Sequence, residues 1–140
     1  MNEDGKKLIV VLGMHRSGTS AITKGLEVLG VSLGNELLEP VSGDNDKGYF
    51  EDVEVNAINI ELLELLGKDW HDLSAVPYDE LVGSKVAHLR MRAIELIRNR
   101  IKDVDFFGVK DPRICRLLPF WKDVFEYLHL DVSYVIAVRD

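Results

Sequence analysis

Cysteine, proline and long apolar runs are all scarce in this 140-residue sequence, which has one cysteine and four prolines. A single cysteine, Cys115, excludes an internal disulfide, and a reducing compartment, the cytoplasm, is the simplest expectation. No apolar stretch approaches the ~20 residues that a helix needs to cross a bilayer, so no membrane span is predicted. Acidic residues precede the first apolar run, which does not fit a secretory signal peptide.

Positive charge is also in short supply, because 17 lysines and arginines face 24 acidic residues and give a net charge of -7. This balance disfavours general nucleic-acid binding, which needs a basic surface. An acidic chain that binds an anion must gather its few cations in one place, so their positions are informative. The apolar fraction of 46% favours a globular protein over a disordered one.

Short β-branched runs alternate with helical patterns along the chain. Strands are predicted at 8–12, 106–110 and 133–138, and helices at 17–29, 53–66, 84–102 and 119–128. The alternation predicts an α/β fold with a mostly parallel central sheet, right-handed crossovers and helices on both faces. Because open sheets usually have more strands than this, we expect residues 1–140 to be the N-terminal portion of one larger domain, incomplete at the C-terminus.

Apolar periodicity and helix-breaking residues set the predicted helix limits. Gly67 is expected to end the second helix, and Pro119 is expected to be the first residue of the last one. Three inward-facing stripes are predicted: Val55, Ile58, Leu62 and Leu65; Val86, Leu89, Ala93, Ile97 and Ile101; and Trp121, Phe125 and Leu128.

The stretch "GMHRSGTS", residues 13–20, joins the first strand to the first predicted helix. Its glycines allow a tight turn, so that free amides and the positive end of the helix dipole can face an anion. Arg16 can add a guanidinium fork that suits phosphate or sulfate oxygens. Thr19 stands where an ATP-cleaving loop carries lysine, so the G-x-x-x-x-G-K-[ST] signature is not met. The alternative is a tight turn with an exposed arginine.

Each predicted strand is followed by a cation. Arg16 follows the first strand, Lys110 and Arg113 follow the second, and Arg139 follows the third. Because ligands bind at the carboxyl ends of the strands in open parallel sheets, we expect these cations to meet at one edge. The sequence therefore predicts an anion site there.

The same segments resemble the PAPS-dependent sulfotransferase family, whose donor is 3′-phosphoadenosine 5′-phosphosulfate (PAPS). "GMHRSGTS" is similar to the family's 5′-phosphosulfate loop, "FFGVKDPRICRLLPFW" to its lysine-bearing strand and following turn, and "YVIAVRD" to its 3′-phosphate-binding strand. "DKGYFED" and "GKDW" resemble bacterial members, so the resemblance covers nearly the whole chain. It implies a three-layer P-loop-like fold and transfer of a sulfuryl group to a small-molecule or carbohydrate acceptor, with no metal required.

The resemblance also implies roles for individual residues. Arg16 would be the cation at the leaving group, Lys110 a second cation near the bridging oxygen, and Arg139 the group that holds the 3′-phosphate. The donor-binding set that the resemblance implies is Arg16, Ser17, Gly18, Thr19, Ser20 and Arg139. His15 lies inside the same loop and is expected to join this set, with packing against the sheet as the alternative. The sequence departs from the family where an adenine-stacking aromatic would follow Ser20, since Ala21 is there, and the later donor-binding segments would fall beyond Asp140.

The catalytic base is less obvious, because Asp111, Pro112 and Arg113 follow Lys110 where cytosolic members carry a histidine. Glu51 in "GYFED" is the favoured base, since carboxylate-using members carry theirs after the first helix. The alternative is that Glu51 caps the helix that starts near residue 52. Asp111 is the competing base, and its own alternative is an ion pair with Lys110 or Arg113.

The sequence also predicts the exposure of its cysteine and of the basic residues on its third helix. Cys115 is expected to be a small buried residue. The basic residues of the third helix are expected to form a solvated face, with attraction of an anionic acceptor as the alternative: Arg90, Arg92, Arg98, Arg100 and Lys102.

Two other functions remain open. One is a nucleotide or metabolite kinase with a degenerate loop, because "FFGVKD" ends like a strand whose aspartate organises Mg²⁺. The other is a non-catalytic nucleotide-binding module or fragment.

Overall fold

A computed structural model of the chain describes residues 6–12, 52–68, 76–102, 104, 106–111 and 113–136. The described elements are listed here in chain order: β1 (Lys7–Leu12), α1 (Val53–Leu65), α2 (Tyr78–Val82), a 3₁₀ turn (Ser84–Val86), α3 (Ala87–Ile101), β2 (Phe106–Lys110), α4 (Ile114–Tyr127) and β3 (Asp131–Ile136). The helix predicted at 17–29 lies outside the described residues.

The described strands form one parallel sheet in the order β2-β1-β3, with β1 in the centre. Leu8 pairs with Phe107 on one side and with Val132 on the other, and the pairing continues in step along each strand. The predicted α/β class with a parallel sheet is confirmed. The third strand begins two residues earlier than predicted, at Asp131.

The sheet is buried on both sides of its central strand. Leu8, Val10, Phe107 and Val109 share one face by register and join the main apolar core formed by the described helices. On the opposite face, Val11 is only 1% exposed. Burial from both sides explains why β1 reads as a continuous β-branched run instead of an alternating one.

Helix α1 begins and ends through local signals in its sequence. The carboxylate of Asp52 accepts hydrogen bonds from the amides of Glu54 (2.9 Å) and Val55 (3.2 Å), which is an N-cap. Gly67 follows the helix with φ of +71°, and the Lys68 amide closes the end on the Leu63 carbonyl at 2.8 Å. The predicted stop at Gly67 is confirmed.

The predicted apolar stripes largely form the core. All five residues of the second predicted stripe are buried, Val86 in the 3₁₀ turn and the other four in α3, as are all three of the last stripe and Val55, Ile58 and Leu62 of α1. Leu65 packs against the core but is only half-buried, and Leu63 is buried instead. Helix α2, in a segment without a clear pattern, was not predicted.

Two predictions around α4 are wrong. The helix begins at Ile114, not at Pro119, which lies inside it. An internal proline removes one backbone hydrogen bond, but α4 still buries Phe120, Trp121 and Phe125, and this packing maintains the helix. Cys115 is exposed and not buried, because the helix starts early enough to turn it outward in the first turn.

The longest described helix is α3, with 15 residues. Within the described ranges, no helix combines the length and the apolar character that crossing a bilayer requires.

Candidate active site

The carboxyl ends of the three described strands lie side by side at one edge of the sheet. Val11 pairs with Lys110, and Leu12 pairs with Ile136, so the strands end within one residue of one another. The chain therefore leaves β1, β2 and β3 from the same edge, as the predicted parallel sheet requires. We call this the carboxyl edge, and its described members are Leu12, Lys110, Asp111 and Ile136.

Lys110 is the one predicted catalytic residue that the structure describes. It is the last residue of β2, lies on the face opposite the main core, and is only 5% exposed. A largely buried ammonium is rare in proteins and needs anionic or polar partners around it. Glu51, Arg139 and the loop residues from His15 to Ser20 lie outside the described residues.

Asp111 follows Lys110 and is fully buried. Its Oδ1 atom accepts from the backbone amide of Arg113 at 2.8 Å and from Arg113 Nη1 at 3.4 Å. The Asp111 carbonyl accepts from the Ile114 amide at 3.0 Å. The carboxylate thus initiates helix α4 and pairs with Arg113, which is the structural alternative considered for this residue.

The second oxygen of Asp111 is also engaged. Asn56, on the first turn of α1, donates from Nδ2 to Asp111 Oδ2 at 3.2 Å. This contact brings the start of α1 to the carboxyl edge. Sequence reasoning missed Asn56, because a contact between residues 55 positions apart depends on how the helix packs and leaves no local signal.

The start of α1 is also tied to the end of α3. Arg100 donates from Nε to Asp52 Oδ2 at 2.8 Å and from Nη2 to Asp52 Oδ1 at 3.2 Å. Its Nη2 atom also reaches Glu54 Oε2 at 3.1 Å. The side chain of Asp52 is 2% exposed and that of Arg100 is 15% exposed, so this is a mostly buried, bidentate ion pair.

The other arginines of α3 are also paired with acidic residues. Arg92 binds Glu61 of α1, Arg98 lies 3.1 Å from Glu95, and Arg90 lies 3.8 Å from Asp123. These pairs join α3 to α1 and α4 or lie along α3 itself. The solvated-face prediction therefore holds only in part, since the side chains of Arg90 and Arg100 are mostly buried.

Trp121 and Asn59 form a further polar contact inside the core. Trp121 Nε1 donates to Asn59 Oδ1 at 2.7 Å, and Asn59 is fully buried. This hydrogen bond pins α1 against α4 and satisfies the indole N–H.

The position of α1 bears on Glu51, which directly precedes Asp52 in the sequence. The cap of α1 is Asp52, so the alternative in which Glu51 serves as that cap is not supported.

No known family model, no characterised protein and no solved structure matches the chain. The functional interpretation therefore rests on the motifs and on the described edge.

Proposed function

We propose that this chain is a sulfotransferase that moves a sulfuryl group from PAPS to a hydroxyl or amine of a small-molecule or carbohydrate acceptor. The observation that supports it best is the parallel, in-step sheet whose strands all end at one edge. Each strand is followed in the sequence by a segment with a cation, and Lys110 already lies at that edge. A doubly phosphorylated nucleotide needs several fixed positive groups in one place.

In the proposed reaction, the acceptor oxygen or nitrogen attacks the donor sulfur in line. A bond forms between the acceptor and sulfur while the bond from sulfur to the bridging oxygen breaks, and the 5′-phosphate keeps that electron pair. The acceptor proton passes to a carboxylate. Arg16, Lys110 and the amides of the 13–20 loop would stabilise the charge on the leaving phosphate, and Arg139 would hold the 3′-phosphate.

We favour Glu51 over Asp111 as the general base. Both oxygens of Asp111 already accept hydrogen bonds, and its carboxylate starts helix α4. The cap of α1 is Asp52, and Glu51 directly precedes it in the sequence. Because Asn56 contacts Asp111 at the carboxyl edge, a base at position 51 is consistent with a site there.

The geometry of Asp111 also favours sulfuryl transfer over the kinase alternative. An aspartate that organises Mg²⁺ needs an oxygen available to the ion or to its water shell. Asp111 is fully buried, and its oxygens accept from Asn56 and from Arg113. This is the environment of a structural carboxylate.

Calorimetric titration with two nucleotides tests the proposal. We expect 3′,5′-adenosine bisphosphate, the product form of the donor, to bind in the presence of a metal chelator, and Mg-ATP to bind far more weakly. Arg16→Ala should weaken bisphosphate binding by about 10- to 100-fold, since a hydrogen bond to a charged group contributes about 1.5–3 kcal/mol. Binding of Mg-ATP alone would support the kinase alternative, and unchanged affinity in Arg16→Ala would contradict the role of the loop.

A further inference from the structure

The first turn of α1 is held from two sides by side-chain hydrogen bonds. From one side, Arg100 grips the Asp52 carboxylate with two nitrogens. From the other, Asn56 donates to Asp111 at the end of β2. We call these four residues the α1 clamp: Asp52, Asn56, Arg100 and Asp111.

The clamp is rigid because its groups are satisfied and shielded from water. Asp52 and Asp111 are 2% and 0% exposed, and each accepts hydrogen bonds from backbone amides as well as from its clamp partner. If α1 shifted along its axis, a buried carboxylate would lose partners that water could not replace. The first turn of α1 therefore has one favoured position relative to β2.

We infer that Asn56 and Arg100 are positioning residues, which fix the first turn of α1 against the Lys110 end of β2. This inference rests on the proposed function, because the segment before α1 carries Glu51. In-line transfer requires the base, the acceptor and the leaving-group cation to be held within a fraction of an ångström. The clamp connects α1, which follows Glu51 in the sequence, to β2, which ends in Lys110.

Conservative variants with matched controls test the inference. Asn56→Ala removes the contact with Asp111, and Arg100→Lys keeps the charge but removes the two-pronged grip. The controls are Asn99→Ala, an exposed asparagine of α3, and Arg92→Lys, which alters the more exposed α1–α3 ion pair with Glu61. Circular dichroism and urea unfolding establish that each variant is folded at the assay temperature.

The first readout is turnover of PAPS with glucosamine, an acceptor probe that offers both an amine and hydroxyls. We expect kcat to fall by about 10- to 100-fold in both clamp variants, with the KM for PAPS unchanged within about twofold. Both control variants should match the unaltered protein. A purely structural role would lower the folded fraction without lowering kcat at an unchanged KM. Equal kcat in the clamp and control variants would therefore overturn the inference.

The second readout does not depend on activity. In hydrogen exchange, Asn56→Ala should speed exchange of the Glu54 and Arg113 amides by about tenfold, while the amides of the core helix α3 keep their rates. If the unaltered protein does not turn over PAPS, the proposed function fails, and this local exchange pattern still supports the clamp. Unchanged exchange at Glu54 and Arg113 would overturn the clamp itself.

Discussion

Replacing Asp52 with alanine removes two functions at once. The alanine has no oxygen to accept the amides of Glu54 and Val55, and it leaves the guanidinium of Arg100 without its main carboxylate. The chain offers a matched comparison, because Glu61 and Arg92 also join α1 to α3. The two pairs differ chiefly in burial: the side chains of Asp52 and Arg100 are 2% and 15% exposed, against 47% and 48% for Glu61 and Arg92.

This difference in burial sets the expected magnitudes. Asp52→Ala should lower the free energy of unfolding by about 3–5 kcal/mol, because it breaks a buried ion pair by removing one partner. Loss of the N-cap accounts for about 1 kcal/mol of this total. An exposed pair contributes about 0–1 kcal/mol, so Glu61→Ala should be nearly neutral. Asp52→Asn keeps an oxygen for the two amides and should cost about 1 kcal/mol less than Asp52→Ala.

Urea unfolding followed by circular dichroism measures these costs. With a denaturant slope of about 2 kcal/mol per molar, we expect Asp52→Ala to lower the midpoint by about 2 M and Glu61→Ala by less than about 0.5 M. Because domains of this size are stable by only about 5–15 kcal/mol, the first change is large. If the two alanine variants had free energies of unfolding within about 1 kcal/mol of each other, burial of the Asp52–Arg100 pair would not be what anchors α1.

Three further predictions concern other parts of the molecule. Glu51→Gln should abolish measurable PAPS turnover but leave bisphosphate affinity within about twofold, as calorimetry can check, and equal turnover would remove Glu51 from the role of base. Gly67→Ala should cost about 1 kcal/mol in urea unfolding, because φ at this position is +71°, and an unchanged midpoint would contradict this. Burial, and then the negative charge of Glu126, raise the pKa of the Tyr134 phenol above its ordinary value of 10.0. Since the folded-state pKa is raised, the contribution of the neutral phenol to the free energy of unfolding is complete below pH 10 and is lost as pH rises through the folded pKa. Tyr134→Phe should therefore lose less stability at alkaline pH in urea unfolding. Identical pH profiles of the free energy of unfolding in the two proteins would refute this.

Features with a local cause could be predicted from the sequence. The limits of β2 match the structure residue for residue, because a short apolar run between polar segments defines a buried strand. The stripe from Val86 to Ile101 is buried at all five predicted positions, since helical periodicity determines which side chains share a face. The three strands end at one edge, as predicted, because parallel strands have their carboxyl ends on the same side of a sheet.

The wrong predictions arose where two local signals competed. Pro119 predicts a helix start, but Asp111 followed by a proline is also a helix-start signal, and the Asp111 carboxylate accepts from the Arg113 amide. The prediction for Cys115 was wrong for a different reason, since the burial typical of free cysteines does not show which way one side chain faces. The Asn56–Asp111 and Asp52–Arg100 contacts could not be predicted, because they join residues about 50 positions apart through the packing of α1.

The central claim is that fixed positive groups at the carboxyl edge of the sheet hold a doubly phosphorylated adenosine. Lys110 and Lys7 lie at opposite ends of neighbouring strands, so Lys7 is a control for the loss of a lysine at the other end of the sheet. The most direct measurement is the affinity for 3′,5′-adenosine bisphosphate of Lys110→Met and of Lys7→Met, by calorimetry with a metal chelator. We expect Lys110→Met to bind about 10- to 100-fold more weakly than the unaltered protein and Lys7→Met to bind equally well. Equal affinity in both variants, or a loss only in Lys7→Met, would contradict the account.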